Sequence, residues 1–163
     1  MIRLVVLDAD RTIWDHHNVT ELRSPFKLVS KDVAEDANGV KVKLNDKLID
    51  FLEFAREKGI LVSLASWNEP KNVFELLSLF GIDKYFVFPI AEPHPNKHLM
   101  IQKIISNLSK RGIDISPNEI LYIDDRDIHL SEIREKIGNV KFLKFGVDIK
   151  DWKEAINKIE NSL

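Results

Sequence analysis

Two aspartates one residue apart, Asp8 and Asp10, close an apolar run near the start of the chain: Val5-Val6-Leu7-Asp8-Ala9-Asp10-Arg11-Thr12-Ile13-Trp14. A second acidic pair, Asp124-Asp125, ends the run Ile120-Leu121-Tyr122-Ile123. Between them come Ser66, followed by Trp67 and Asn68, and then Lys97. Carboxylates beside a core are costly unless a metal, a cation or hydrogen-bond donors pair with them. Four carboxylates with a hydroxyl and an ammonium suit Mg2+ plus a phosphate. The hard cation takes carboxylate oxygens and water, and phosphate oxygens complete its shell. Ser66 and backbone N–H groups at the adjoining helix start are donors for phosphate oxygens, and Lys97 neutralises them as a point charge.

These residues need a fold that delivers them to one place. Residues 2–7 are near-continuously apolar, as expected of a strand covered on both faces. Asn45 or Asp46 reads as the N-cap of a helix ended by Gly59, and residues 60–65 as the next strand. Pro70 opens a helix to about Phe80, residues 85–88 read as a short strand, and Pro95-Asn96 opens a helix that stops before Gly112. Residues 120–123 and 140–145 read as strands, with helices over 127–137 and 152–159. Alternating units of this kind predict a doubly wound, Rossmann-like α/β fold, a mostly parallel sheet with helices on both faces. Ligands in such sheets bind outside the carboxyl ends of the strands, where Asp8, Asp10, Ser66, Asp124 and Asp125 fall, with Lys97 at a nearby helix start.

Residues 15–44 depart from the alternation. Asn38-Gly39 signals a type I′ hairpin between flanking strands at 26–33 and 40–44. A short β-hairpin insert after the first strand would hang over the sheet's C-terminal edge as a minimal cap. The 163 residues are expected to form a single domain with one core.

A net charge of −2 carries no sign of a nucleic-acid or anionic-membrane partner. The absence of cysteine excludes disulfides and thiolate metal sites and fits a reducing cytoplasm, the expected location. No apolar stretch approaches the roughly 18 residues that span a bilayer, and the N-terminus lacks a signal-peptide pattern.

Taken in order, Asp8-Ala9-Asp10-Arg11-Thr12, Ser66, Lys97 and Asp124-Asp125 resemble the four motifs of the haloacid dehalogenase superfamily of phosphatases. Trp14 two residues after Thr12 and the short hairpin insert resemble, more narrowly, the small magnesium-dependent phosphatases. Arg11 stands where most of the superfamily has Gly. The resemblance implies a Mg2+-dependent hydrolase in which Asp8 is the nucleophile, forming an aspartyl phosphate, and Asp10 the general acid and base. It implies that Asp8, the backbone carbonyl of Asp10 and Asp124 hold the metal. Asp125 then sits in an outer role, Ser66 and Lys97 hold the phosphoryl group, and Thr12 steadies the turn. Trp14, Trp67 and Asn68 are placed to touch substrate, either a small-molecule phosphate ester such as a sugar phosphate or a phosphoprotein side chain such as phosphotyrosine.

Other readings stand beside these. Ser66 also suits the N-cap of the helix at Pro70, and Asp125 that of the helix near Asp127. Lys71, Lys84 and Lys103 lie in the region of Lys97. His16-His17 would point to opposite faces of a strand, and Pro95 interrupts any shared helix face for His94 and His98. A phosphoacceptor signalling module uses similar residues in a different order, and a phosphate-binding protein without turnover is a further alternative.

Overall fold

The computed structural model describes residues 1–162. Its elements begin with β1 (Leu4–Leu7), β2 (Lys27–Ser30), β3 (Val33–Glu35), β4 (Lys41–Lys43), α1 (Leu48–Glu57) and β5 (Leu61–Trp67). They continue with α2 (Pro70–Leu79), β6 (Ile90–Glu92), α3 (Lys97–Lys110), β7 (Ile120–Asp124), α4 (Leu130–Lys136), β8 (Lys141–Lys144) and α5 (Trp152–Ser162). Five strands form a parallel sheet in the order β6-β5-β1-β7-β8, and β2, β3 and β4 form a separate antiparallel sheet. This is the α/β, Rossmann-like architecture expected from the alternation of apolar runs. Among the described residues, no helix is long and apolar enough to cross a membrane.

The wholly buried β1 is the central strand, and its residues alternate between two apolar layers. Val5 and Leu7 face a layer with Phe51 and Leu52 of α1, Leu76 of α2 and Trp152 of α5. Leu4 and Val6 face the other, with Met100, Ile101 and Ile104 of α3 and Ile133 of α4. Asp8 continues this second face. In β7, Ile120 and Tyr122 share the same layer, so Asp124 falls on the α3 side as well. From β1 the chain moves outward to β5 and β6, then returns to the far side of β1 for β7 and β8. The strand order reverses at β1, the place where parallel sheets open a binding crevice.

Several expected boundaries move. Residues 83–85 form a 3-10 turn and Phe88 takes the left-handed φ of 47°, which a strand cannot contain. The strand expected at 85–88 is therefore β6, further along. The helix expected from Asp127 begins at Leu130. Lys47, at φ 67°, caps α1 in place of Asn45 or Asp46. Asn45 instead donates its side-chain amide to the Thr12 carbonyl at 2.7 Å.

The insert also differs from the simple hairpin. Its turn at Asn38-Gly39 joins β3 to β4, and the segment read as one strand over 26–33 is divided between β2 and the start of β3. Asp36 N–H bonds the Val40 carbonyl at 2.9 Å, enclosing a three-residue loop in which only Gly39 is left-handed, at φ 83°. That is a type I turn with a bulge, not type I′, which needs two positive φ angles. The insert is tied to α2: Asn72 donates to the carbonyls of Val19 (2.8 Å) and Leu22 (2.9 Å), and Glu75 accepts from Ser24 Oγ and Phe26 N–H. Replacing Asn72 with Ala leaves two carbonyls short of a donor. It is expected to cost about 1–3 kcal/mol in urea unfolding and to speed amide exchange through residues 19–26.

Candidate active site

At the C-terminal end of β1, the Asp8 carboxylate accepts from two directions. Lys97 Nζ lies 2.6 Å from its Oδ1, and Thr12 Oγ1 lies 3.3 Å from its Oδ2. Lys97 begins α3, yet its side chain is only 1% exposed, because it turns inward over the sheet. Its ammonium also donates to the Ala65 carbonyl of β5 at 2.6 Å and lies 3.7 Å from Asp124 Oδ2 of β7. One lysine thus spans the three central strands. Neither Lys71, Lys84 nor Lys103 takes this place; Lys103 pairs with Glu92.

Asp124 and Asp125 complete an acidic cluster. One carboxylate oxygen from each of Asp8, Asp124 and Asp125 lies within 4.8 Å of the others. Burial, with Asp124 next, pushes the Asp8 carboxyl well above its usual range, while Lys97 opposes the shift. Burial also works against Asp124, but Lys97 and the Tyr122 hydroxyl outweigh it and hold this carboxyl below its usual range. Asp125 is pushed up to about 6, by burial first and Asp124 next. Three clustered carboxylates with one ammonium leave negative charge uncompensated, and a hard dication with oxygen ligands fits that deficit. Asp125 N–H donates to Thr12 Oγ1 at 3.2 Å, and His129, not Asp125, occupies the α4 cap position. The alternative of Asp125 as a helix cap is thereby corrected.

Asp10 stands slightly apart, held by donors. Trp14 Nε1 (3.0 Å) and Val19 N–H (3.2 Å) bond its Oδ1, and Asn68 Nδ2 (2.9 Å) bonds its Oδ2. Trp14 is fully buried, so it positions Asp10 and offers no face to a substrate. Asn68 is likewise engaged within the protein. Its amide also donates to Ser66 Oγ at 2.7 Å, its oxygen accepts from Thr20 Oγ1, and its backbone N–H bonds Glu92. Asn68 also lines the cleft, and its amide sets Asp10 and Ser66 from there. Ser66 lies inside β5 and Glu69 occupies the α2 cap position, so Ser66 is not a helix cap. Trp67 is 43% exposed and lines the cleft.

Arg11 takes φ 60°, the left-handed turn that glycine adopts freely, and its guanidinium pairs with Asp15 at 3.0 Å. The cleft over the cluster, about 430 Å3, is lined by Asp8, Asp10 and Asp125 and, from the insert, by His17, Asn18 and Thr20. No residue of β2, β3 or β4 lines it, so the loop before the small sheet meets the cleft and the hairpin strands do not. His16 and His17 are not on a strand with opposed faces: their rings stack at 4.7 Å, and Glu21 lies 2.9 Å from His17 Nε2. Their ligand atoms come within 4.8 Å of one another, but stacked rings send their in-plane lone pairs side by side, and His16 Nδ1 already accepts from Asn18 N–H. His94 and His98 pair separately with Glu92 and Glu132.

A parallel sheet with its strand reversal at β1, and an acidic cluster with a buried lysine at that point, agree with the resemblance to the haloacid dehalogenase superfamily carried by the motifs. Residues 1–162 match the family model described as Acid Phosphatase, and the chain belongs to this family. No curated protein matches it. A hydrolase of the superfamily from Ehrlichia chaffeensis has a TM-score of 0.67 at 15% identity, covering 98% of this chain and 97% of its own. A subfamily IA hydrolase from Geobacter sulfurreducens scores 0.65 at 15% identity, over 96% of this chain and 99% of its own. The N-terminal part of a Bacteroides fragilis protein, containing a phosphatase domain complexed with Mg, scores 0.62 at 18% identity over 98% of this chain. The chain spans only 40% of that structure. At these identities the likeness is one of fold.

Asp125 takes up a proton as pH falls through about 6 and loses the charge a cation needs. The rise in melting temperature on adding Mg2+ is accordingly expected to be large near pH 7.5 and to shrink below about pH 6, as read by thermal denaturation.

Proposed function

We propose that the protein is a Mg2+-dependent phosphomonoesterase that works through an aspartyl phosphate on Asp8. The observation that carries this reading is the contact of Asp8 with buried Lys97 inside a cluster that also includes Asp124 and Asp125. Asp8, Asp124 and the backbone carbonyl of Asp10 would hold the Mg2+, with Asp125 able to join them, and when bound it supplies positive charge to the phosphoryl oxygens.

Asp8 attacks phosphorus, forming an Asp8 O–P bond as the ester P–O bond breaks. The leaving oxygen takes a proton from Asp10. Water then attacks the aspartyl phosphate and gives a proton back to Asp10, which releases phosphate and restores Asp8. Lys97 and Ser66 hold the transferring group, in chemistry that depends mainly on position and charge. Trp14, Val19 and Asn68 fix the Asp10 carboxyl on the leaving-group side. The open cleft with Trp67 on its wall supports a phosphate monoester with an aromatic or sugar leaving group, on a small molecule or a protein side chain.

Hydrolysis of p-nitrophenyl phosphate tests the reading. Turnover is expected with Mg2+, is lost in EDTA, and falls to background in Asp8→Asn. Full activity in that variant sinks the assignment, and a wild type inert with every divalent cation points instead to a phosphate-binding or phosphoacceptor module. Asp10→Asn is expected to lower kcat by about 10²–10⁴-fold. Trp14→Phe, which removes one donor to Asp10, is expected to lower kcat by roughly tenfold with little change in KM.

A further inference from the structure

Tyr122 is the one polar side chain in an otherwise aliphatic stretch of β7, Ile120 to Ile123. A phenol without solvent needs a hydrogen-bond partner. Tyr122 is fully buried, and its hydroxyl donates to Asp124 Oδ2, two residues along the same strand face. The ring is fixed from behind by Phe142, with centroids 5.6 Å apart. On the other side, Lys97 Nζ lies 3.7 Å from that same Oδ2 and 6.0 Å from the ring centroid. The second oxygen of Asp124 accepts the backbone N–H of Arg126 at 3.1 Å.

These contacts make the two oxygens of Asp124 unequal. A dication beside Oδ2 would face the Lys97 ammonium, whereas the Arg126 backbone donor at Oδ1 is neutral. Without the phenol, the Lys97 ammonium 3.7 Å away is left to pair with Oδ2. The ammonium is then drawn from Asp8 towards Asp124, or the carboxylate turns to meet it, and both movements spoil the cluster.

We propose that Tyr122 is a positioning residue for the cation site, holding Asp124 by Oδ2 so that Oδ1 serves the metal and Lys97 stays with Asp8. This rests on the assignment of Mg2+ to Asp8 and Asp124 made above. Carboxylates that bind metals are commonly oriented by such outer hydrogen bonds, whose loss weakens metal binding by about 10–100-fold.

Isothermal calorimetry of Mg2+ binding, without substrate, provides the test. Tyr122→Phe keeps the ring against Phe142 and removes only the hydroxyl. It is expected to weaken Mg2+ binding by at least about tenfold and to shrink the Mg2+-induced rise in melting temperature. Phe142→Leu serves as the control for general softening of this layer. It is expected to lower the melting temperature while leaving the Mg2+ affinity within about twofold. Equal or tighter Mg2+ binding by Tyr122→Phe overturns the proposal, as does an equal loss in Phe142→Leu. A wild type that binds no Mg2+ overturns the metal assignment itself, an outcome separable from failure of the Tyr122 role alone.

Discussion

The contact between Lys97 and Asp8 is the constraint on which the rest of the structure depends. An ammonium with 1% exposure, 2.6 Å from a buried carboxylate, is tolerable only if its remaining protons and the surrounding charge are answered. The Ala65 carbonyl takes one proton direction, and Asp124 lies across the gap. Because the three partners sit on β5, β1 and β7, the lysine requires those strands to be neighbours. It also requires α3 to begin directly over their ends.

Around this pair, the turn after β1 acts as a frame. The Thr12 hydroxyl donates to Asp8 and accepts from Asp125 N–H, joining the two acidic segments. The Thr12 carbonyl takes the Asn45 amide at 2.7 Å and Trp152 Nε1 at 3.2 Å, which ties the turn to the start of α1 and to α5. Arg11 accepts left-handed geometry within that turn, and Trp14 returns to bond Asp10. The insert joins the site through its opening loop: Thr20 bonds Asn68, which bonds both Asp10 and Ser66. Its small sheet lies beyond, packing Ala34 and Val42 into the apolar layer that holds Trp14 and Phe51.

Much of this was legible from residue types and order. The runs at β1, β5 and β7 are mainly apolar because both faces are covered, with Ser63 and Tyr122 the exceptions, and each ends in the polar residues of the candidate site. Boundaries set by local turn geometry were less readable. Phe88 is a good strand former by type, but its left-handed φ ends any strand there. The role of Asp125, helix cap or outer partner of the site, was open in the sequence, and Asp36 shows why residue type alone does not decide it. Asp36 spans the turn by accepting from Asn38 and Val40, whereas Asp125 belongs to the cluster, and nothing in their immediate neighbours distinguishes the two.

By itself, the sequence determined the α/β class, the placement of Asp8, Ser66 and Asp124 at strand ends, and the candidacy of Lys97, since hydrophobic periodicity and chain order are local properties. Only the tertiary structure decided what each residue does among its partners. Trp14 and Asn68 became supports for Asp10, and Tyr122 became a donor to Asp124. Those roles depend on which strand faces meet and which donors lie within hydrogen-bond reach. Contacts between positions 10 and 68, or 8 and 97, exist only once β5 has paired with β1 and α3 begins over the strand ends.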